Sequence, residues 1–551
     1  MPRRSDRSNA TPARSPLPAA EGADPDRWWR GGVFYQIYPR SFADSNGDGI
    51  GDLRGIISKL DHLERLGICG IWLSPITCSP DRDWGYDVSD YCDVDPDYGT
   101  LDDLDELVRE AGRRGIRVLM DLVPNHTSDQ HAWFVDARRG WDAGYRDYYV
   151  WADPKPDGSP PNNWISSFGG PAWHLDEASG QYYLHNFEAE QPDLDWWNED
   201  VRREFDDIVR FWWDRGVAGF RIDVCNGMIK DEELRDNPPA TEDDPIDQQF
   251  MGVRSVYNTD RPEAHDILRR WRAIAETYGR GERLLIGETY VDDVSVLAQF
   301  YGNGSDELHG GFNFVFIHAP FEADALRAVV EEAEAELPAG AWPVWAGSNH
   351  DESRLATRWA GGDRAKVKVA LVLLLTLRGT PFLYQGDEIG LTDGPLRQED
   401  LRDRVGIRFW PYYKGRDAER TPMPWSAAPG GGFTEPGVAT WLPMADPSLC
   451  NVADQEGDAN SVLELCRRTI AARTAHEDLA VGGYRTVPSP EGTWAYRRGE
   501  STTVTLNMSD APATFDGVRG TVSVCTDPAL EGSVAEGSVT LAAWTAAILT
   551  A

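Results

Sequence analysis

Gly219-Phe220-Arg221-Ile222-Asp223-Val224 is a short apolar run that ends in ionisable residues, and three further segments repeat its form. They are Val118-Leu119-Met120-Asp121-Leu122-Val123-Pro124-Asn125-His126, Leu284-Leu285-Ile286-Gly287-Glu288-Thr289 and Val344-Trp345-Ala346-Gly347-Ser348-Asn349-His350-Asp351. A strand buried on both faces reads as an unbroken apolar run, and in a parallel barrel its C-terminal end opens into a cleft where functional side chains collect. Four such ends can bring Asp121, His126, Arg221, Asp223, Glu288, His350 and Asp351 around one site.

The surrounding chain alternates in the way such a barrel needs. Ile56, Ile57, Leu60, Leu63 and Leu66 have helical spacing, which predicts a helix over 53–66 closed by Gly67. Thr100 with Asp103 three residues on reads as a capping box that opens a helix. Further helices are expected over 201–214, 263–278 and 363–377. Strands are expected at 33–38, 70–75, 117–123, 218–223, 284–288, 312–316, 344–347 and 381–385. Strand–helix repetition implies parallel pairing with right-handed crossovers. Eight strands of this kind predict an α/β fold, a closed (β/α)8 barrel.

Two stretches break the rhythm. Residues 125–199, after the third strand, are crowded with Pro, Gly, Asn, Trp and Tyr, and a connection that long is usually functional. Beyond 475 the helical period fades, and Thr502-Thr503-Val504-Thr505-Leu506 and Thr521-Val522-Ser523-Val524 alternate like strands of an antiparallel β-sandwich. The expected division is therefore a disordered tail over 1–30, a barrel over 31–124 and 200–474, an inserted domain over 125–199 and a sandwich over 475–551.

With 91 acidic against 54 basic residues the chain carries a formal charge of −37. That balance disfavours nucleic acid and anionic membranes and suits an uncharged ligand. Residues 1–30 hold no apolar run of the kind a signal peptide needs, and the longest apolar run, 369–377, is too short to span a membrane. Cys69, Cys78, Cys92, Cys225, Cys450, Cys466 and Cys525 form no Cys-x-x-Cys pair, and an odd number cannot all be bridged. The expectation is a cytoplasmic protein, a monomer or homodimer.

The four strand-end motifs resemble, in order and spacing, the signature regions of the α-amylase family of glycoside hydrolases. The resemblance runs from about Val33 to the C-terminus. It implies that Asp223 is a covalent nucleophile, Glu288 an acid/base and Asp351 a third carboxylate that grips sugar hydroxyls. His126 and His350 would donate to those hydroxyls. The physical reading agrees. Arg221 lies two residues before Asp223 on one strand, so both side chains share a face and the guanidinium orients the carboxylate. Glu288 has no cation adjacent in sequence and shares the pocket with other acids, whose like charges favour a carboxyl that can donate a proton.

Within the family the details look like the exo-acting α-glucosidase and oligo-1,6-glucosidase branch. Tyr86-Asp87-Val88-Ser89-Asp90-Tyr91 resembles the part that supplies an aromatic platform, Tyr86, and a carboxylate for outer hydroxyls, Asp87. Gly415-Arg416-Asp417-Ala418-Glu419-Arg420-Thr421-Pro422-Met423-Pro424-Trp425 is similar to a stretch whose arginine, here Arg416, would pair with Asp87 and close the far wall. Phe168 is a candidate aromatic wall in the inserted domain. Gln191-Pro192-Asp193-Leu194 looks like the branch's fifth signature, with Asp193 structural. Val224, next to the nucleophile, is the position associated with choice between α-1,4 and α-1,6 linkages. Together these imply a retaining exo-α-glucosidase acting on short α-glucosides, or an α-glucosyl transferase with the same double-displacement site. A non-catalytic scaffold is disfavoured, because every expected carboxylate, Arg221 and both histidines are present.

Asp44-Ser45-Asn46-Gly47-Asp48-Gly49-Ile50-Gly51-Asp52 alternates oxygen-bearing side chains in one tight loop. Gly55 stands where an EF-hand needs Glu, so this is no EF-hand. The same loop in the resembled branch binds a structural Ca2+ or Mg2+, which implies Asp44, Asn46, Asp48, Ile50 and Asp52 as ligands. No organic cofactor is implied.

Overall fold

A computed structural model describes residues 26–244 and 246–551. Most of the expected tail, 1–25, lies outside the described residues. Its last part is ordered, contrary to expectation: Arg27–Arg30 form a helical turn that buries Trp29.

Eight parallel strands make the central sheet. They are β1 Phe34–Ile37, β2 Gly70–Leu73, β3 Arg117–Leu122, β4 Gly219–Ile222, β5 Leu284–Gly287, β6 Gly310–Gly311, β7 Val344–Ala346 and β8 Thr380–Tyr384. Each pairs with its neighbours in chain order, β8 pairs with β1, and a parallel bridge from Phe312 to Val344 joins β6 to β7 and closes the barrel. The strand period of two explains both layers. Tyr35, Ile71, Val118, Phe220, Leu285 and Leu383 point outward into the helical layer. Phe34, Trp72, Leu119, Ile286, Val344 and Phe382 fill the interior, where Phe34 and Phe382 stack at 4.8 Å. The inward column that is apolar low in the barrel turns polar at its upper end, through Asp121, Arg221, Asp223 and Glu288. Register sets the first contact of the site, since Asp121 lies directly opposite Arg221 across the β3–β4 pair.

The expected sixth strand is corrected. Phe314–His318 is a short helix, capped by the Asn313 side chain accepting from the Phe316 N–H. The strand itself is the glycine pair before it. A Cβ on Gly310 would stand 2.5 Å from Val344, so the tight β6–β7 approach requires glycine. The helix expected over 53–66 breaks at Lys59 into Leu53–Ser58 and Leu60–Leu66, and Gly67 closes it at φ 87°. The capping box at Thr100 and Asp103 opens Leu101–Arg113.

Between β3 and the helix Glu199–Asp214 the chain makes a small three-stranded antiparallel sheet of Trp151–Ala152, Gln181–Leu184 and Trp173–Asp176. It has its own core of Trp164, Ala172, Trp173, Tyr182 and Leu184. Its two ends are tied together where it leaves the barrel, by an antiparallel bridge from His126 to Asp193. The C-terminal region is a six-stranded antiparallel sheet from Tyr484–Val487 to Thr545–Thr550. One face, with Trp494, Val504 and Ile548, joins the main core, while the long strand Ala513–Cys525 bends at irregular register so that Phe515, Val522 and Leu549 enclose a second one. Among the described residues, no helix is long and apolar enough to cross a membrane.

Candidate active site

Arg221 organises the floor of the cleft. Its Nη1 reaches Asp121 Oδ1 at 2.8 Å and Asp223 Oδ1 at 2.6 Å, and its Nη2 reaches Glu288 Oε1 at 2.6 Å. Glu288, which has no neighbouring cation in the sequence, thus has one in space; its other oxygen accepts the Val224 N–H at 2.9 Å. Below, Trp72 Nε1 and the Tyr86 hydroxyl each donate to Asp121 Oδ2 at 3.1 Å. Burial pushes the Asp121 carboxyl up to about 7 despite Arg221. Burial likewise raises Asp223 well above the carboxylate range, with Arg221 opposing and Glu288 and Asp121 adding to the rise. Arg221 lies against Asp223 as expected, but burial outweighs its pull on the carboxyl.

The turn after Asp223 is strained. Val224 has φ 43°, a left-handed conformation that a β-branched residue rarely adopts. It is held by the Gly227 N–H donating to the Val224 carbonyl and by the Val224 N–H on Glu288. Lys230 supports this turn from beneath. Fully buried, its Nζ donates to the carbonyls of Gly227 and Met228 and to Asn125 Oδ1 at 2.6 Å, and pairs with Asp193 at 2.8 Å. Asp193 is the residue that ties off the inserted domain.

Asp351 sits in the opposite situation. Arg420 reaches its Oδ1 at 2.5 Å and Arg416 at 3.3 Å, while His350 Nε2 stands 3.1 Å from Oδ2. Burial pushes this carboxyl up, but His350, Arg416 and Arg420 outweigh that and hold it below the ordinary carboxylate range. Burial lowers the His350 imidazole well below its usual range, with Asp351 opposing. Gln36 Nε2 donates to its Nδ1 at 2.8 Å, which leaves the proton on Nε2, facing Asp351 and the Tyr86 hydroxyl. The Tyr86 and His350 rings stack at 5.3 Å.

The far wall departs from expectation. Arg416 pairs with Asp83 at 2.8 Å and forks onto Asp403 at 3.0 Å through Nε and again through Nη2; Asp87 is not its partner. Asp87 is buried under the loop, accepting from the Ser79 hydroxyl and from the N–H groups of Arg82 and Asp83. Burial lifts its carboxyl to about 7. The cause is a turn that the residue types conceal: Trp84 at φ 50° and Gly85 at φ 101° reverse the chain, so Asp83 faces the cleft and Asp87 the loop interior. Phe168 is brought in, with the Arg416 guanidinium 5.1 Å from its ring centre. Phe187 links Phe168 to His126, at 5.3 and 5.2 Å. Burial keeps His126 neutral, and its Nε2 donates to the Tyr86 carbonyl at 2.9 Å, so a sugar hydroxyl would have to compete for it. Asp83, Asp403, Phe187 and Lys230 carry no motif signal as single residues, and Arg420 stands in the 415–425 stretch without being singled out there. Asp403, which caps the helix Arg404–Phe409, could have been sought as the partner that a buried arginine demands.

The 44–52 loop lies outside the cleft. Asp44 accepts the N–H groups of Asn46, Gly47 and Gly49 and the Thr434 hydroxyl, Asn46 accepts from Asp48, and Asp48 accepts the Ile50 N–H. Asp52 accepts from Ser45 and caps the next helix through the Gly55 N–H. Burial pushes the Asp44 carboxyl up, but these hydrogen bonds prevail and lower it. The donor set is all oxygen and suits a hard cation. The loop also closes on its own hydrogen bonds, so carboxylate repulsion does not by itself demand a metal.

Residues 36–482 match the family model described as alpha amylase, catalytic domain. A probable alpha-glucosidase of Rhizobium meliloti is 45% identical over 508 residues, 89% of this chain and 91% of that protein. An oligo-1,6-glucosidase of Heyndrickxia coagulans is 38% identical over 531 residues, 89% and 93% of the two chains. The crystal structure of the alpha-glucosyl transfer enzyme XgtA superimposes with a TM-score of 0.88 at 41% identity, covering 95% of this chain and 99% of that one.

Proposed function

Since the chain belongs to the alpha-amylase family of glycoside hydrolases, we propose that it is a retaining exo-α-glucosidase that removes terminal glucose from short, uncharged α-glucosides of the maltose type, with tolerance for α-1,6 bonds. The observation that carries this reading is the shared guanidinium. Asp223 and Glu288 both form ion pairs with Arg221, so the two carboxyls that a double displacement needs as nucleophile and acid/base flank one guanidinium.

In this reading Asp223 attacks the anomeric carbon and forms a β-glucosyl ester. Glu288 gives its proton to the departing oxygen, then takes one from the water that cleaves the ester. Asp351, kept ionised by Arg416 and Arg420, accepts hydrogen bonds from sugar hydroxyls as the ring flattens. Tyr86, stacked on His350, forms the platform. Asp83, Arg416 and Asp403 close the end of the pocket, which leaves room for one sugar beyond the cleaved bond. Digestion of reduced maltoheptaose tests this: glucose and a ladder shortened one unit at a time are expected, with α-glucose as the first anomer seen by NMR. Early internal products would overturn the pocket, and β-glucose the retaining mechanism.

Transfer to a sugar acceptor instead of water is the second reading, favoured by the likeness to an alpha-glucosyl transfer enzyme. We further propose that Asp44, Asn46, Asp48, Asp52 and the Ile50 carbonyl hold a structural Ca2+ or Mg2+, and that the protein works in the cytoplasm, where buried thiols such as Cys225, Cys466 and Cys525 stay reduced.

A further inference from the structure

The loop that aims Asp83 at Arg416 is strained on both sides of that carboxylate. Asp81 has φ 58° and Trp84 φ 50°, left-handed conformations in residues that are not glycine. Such residues persist only where their surroundings impose the conformation, and for a bulky side chain it is rare. Asp83 stands between them, accepting from Gln191 Nε2 at 3.1 Å and pairing with Arg416 at 2.8 Å. Asp87 gathers the loop from inside through the N–H groups of Arg82 and Asp83. From outside, the loop is held by a buried arginine and a second tryptophan. Arg40 reaches Asp81 Oδ2 at 2.5 Å through Nη2 and donates from Nε to the Tyr98 hydroxyl at 3.2 Å. Its guanidinium lies 5.2 Å from the Trp84 ring centre and 5.6 Å from that of Trp441, and the two indole rings meet at 5.1 Å. Trp441 is fixed in turn, its Nε1 donating to Ser41 Oγ at 2.8 Å.

Arg40 and Ser41 belong to one short turn after β1, Pro39–Ser41. A single turn carried by the barrel therefore holds Asp81 by charge and Trp84 by its ring. A guanidinium over an indole face is the most favourable of the common cation–π pairs, and it strengthens when the cation is out of water. From this geometry we infer that Trp84 is a positioning residue: its ring, latched by Arg40 and Trp441, keeps the strained loop in the conformation that sets Asp83 against Arg416. The inference rests on the glucosidase reading, in which Asp83 and Arg416 close the pocket. Trp441 also packs on Tyr38 at 5.9 Å, and Arg40 also holds Tyr98, so Trp84 is the member of the latch whose loss reports on the loop.

A double-mutant cycle tests this, because an effect that runs through Asp83 must vanish with it. The kcat and KM for p-nitrophenyl α-glucoside are measured in the wild type, Trp84→Gly, Asp83→Ala and the double variant, beside Trp84→Phe. Glycine suits a left-handed backbone, so the first exchange removes the ring without adding strain. Trp84→Gly should lower kcat/KM about tenfold to a hundredfold, as a group displaced by about an ångström does. Where Asp83 is already Ala, the same exchange should cost no more than about twofold. Trp84→Phe should keep most of the activity, since a ring remains for Arg40 and Trp441. Equal falls in both backgrounds would overturn the inference, and so would an unchanged kcat/KM in Trp84→Gly, whatever its melting temperature. If Trp84→Gly does not fold, Trp84→Asn, which also accepts the left-handed backbone, goes through the same cycle with the same expectations. A wild type inactive on the glucoside would overturn the glucosidase reading itself, and the inference with it.

Discussion

Asp223 and Asp351 are two carboxylates of one cleft with opposite electrostatics. On the Asp223 side three acids, Asp121, Asp223 and Glu288, share one guanidinium. On the Asp351 side two guanidiniums, Arg416 and Arg420, serve Asp351 together with Asp83 and Asp403. Burial acts on both, so the ratio of cations to acids decides the outcome. Burial prevails at Asp223, whose carboxyl is raised, and the cations prevail at Asp351, whose carboxyl is lowered. A double displacement needs both: a proton to give to the leaving oxygen, and a permanent negative charge to grip the sugar as positive charge develops. The comparison teaches that the balance of arginines to carboxylates around each acid sets the direction in which its carboxyl shifts.

The most severe way to break the contrast is Arg221→Met. Asp121, Asp223 and Glu288 would lose the guanidinium they share, so turnover should vanish and urea unfolding should show a loss of ~3–5 kcal/mol. Arg221→Lys should restore little, since a point charge cannot serve three acids in fixed geometry. Removing the transferable proton comes next. Glu288→Gln should slow maltose hydrolysis by about 10²–10⁴ and aryl glucosides with good leaving groups far less, and azide should rescue Glu288→Ala with formation of α-glucosyl azide.

Weakening the Asp351 side is milder. Asp83→Ala removes one partner of Arg416 and should lower kcat/KM about a hundredfold, whereas Asp87→Asn should mainly lower the melting temperature. Equal kinetic losses would mean that both residues bind sugar. The slope of stability against pH sharpens the contrast further. Asp121 is raised to about 7, so between about pH 4 and 7 the folded protein binds more protons than the unfolded chain and its stability falls as pH rises. Asp351 is lowered, so its contribution is present above about pH 4 and is lost as pH falls below it. Asp121→Asn should flatten the first slope by up to about 1.4 kcal/mol per pH unit, and Asp351→Asn should flatten only the acid limb. The smallest effect belongs to the 44–52 loop: chelation should lower the melting temperature by a few degrees and leave initial rates unchanged. No shift, with no metal by elemental analysis, would leave a loop closed by its own hydrogen bonds.

The strand ends were legible because a period of two and burial on both faces write barrel strands as apolar runs, and because Asp121, Arg221, Asp223 and Glu288 continue the inward column of those runs. Three features were not. Gly310–Gly311 carries no apolar signal, and the alternation of Phe312, Phe314 and Phe316 imitates a strand that the Asn313 cap turns into a helix. The exchange of Asp87 for Asp83 depends on a left-handed tryptophan, which residue types do not announce. Asp403 lies in a separate stretch from the motif of its partner Arg416, and only the folded chain shows that one captures the other.

Lys230, bound to Asp193, Asn125 and two carbonyls beneath the turn that carries Asp223, has a consequence for operating range. It joins the root of the inserted domain to the turn beside the attacking carboxylate through a cation that belongs to the chain itself. A tethered counter-ion has a fixed effective concentration and cannot be diluted away. The alignment of roof and floor is thereby insulated from dissolved electrolytes, and this junction should keep its geometry in fluids too poor in divalent ions to sustain a metal-held one.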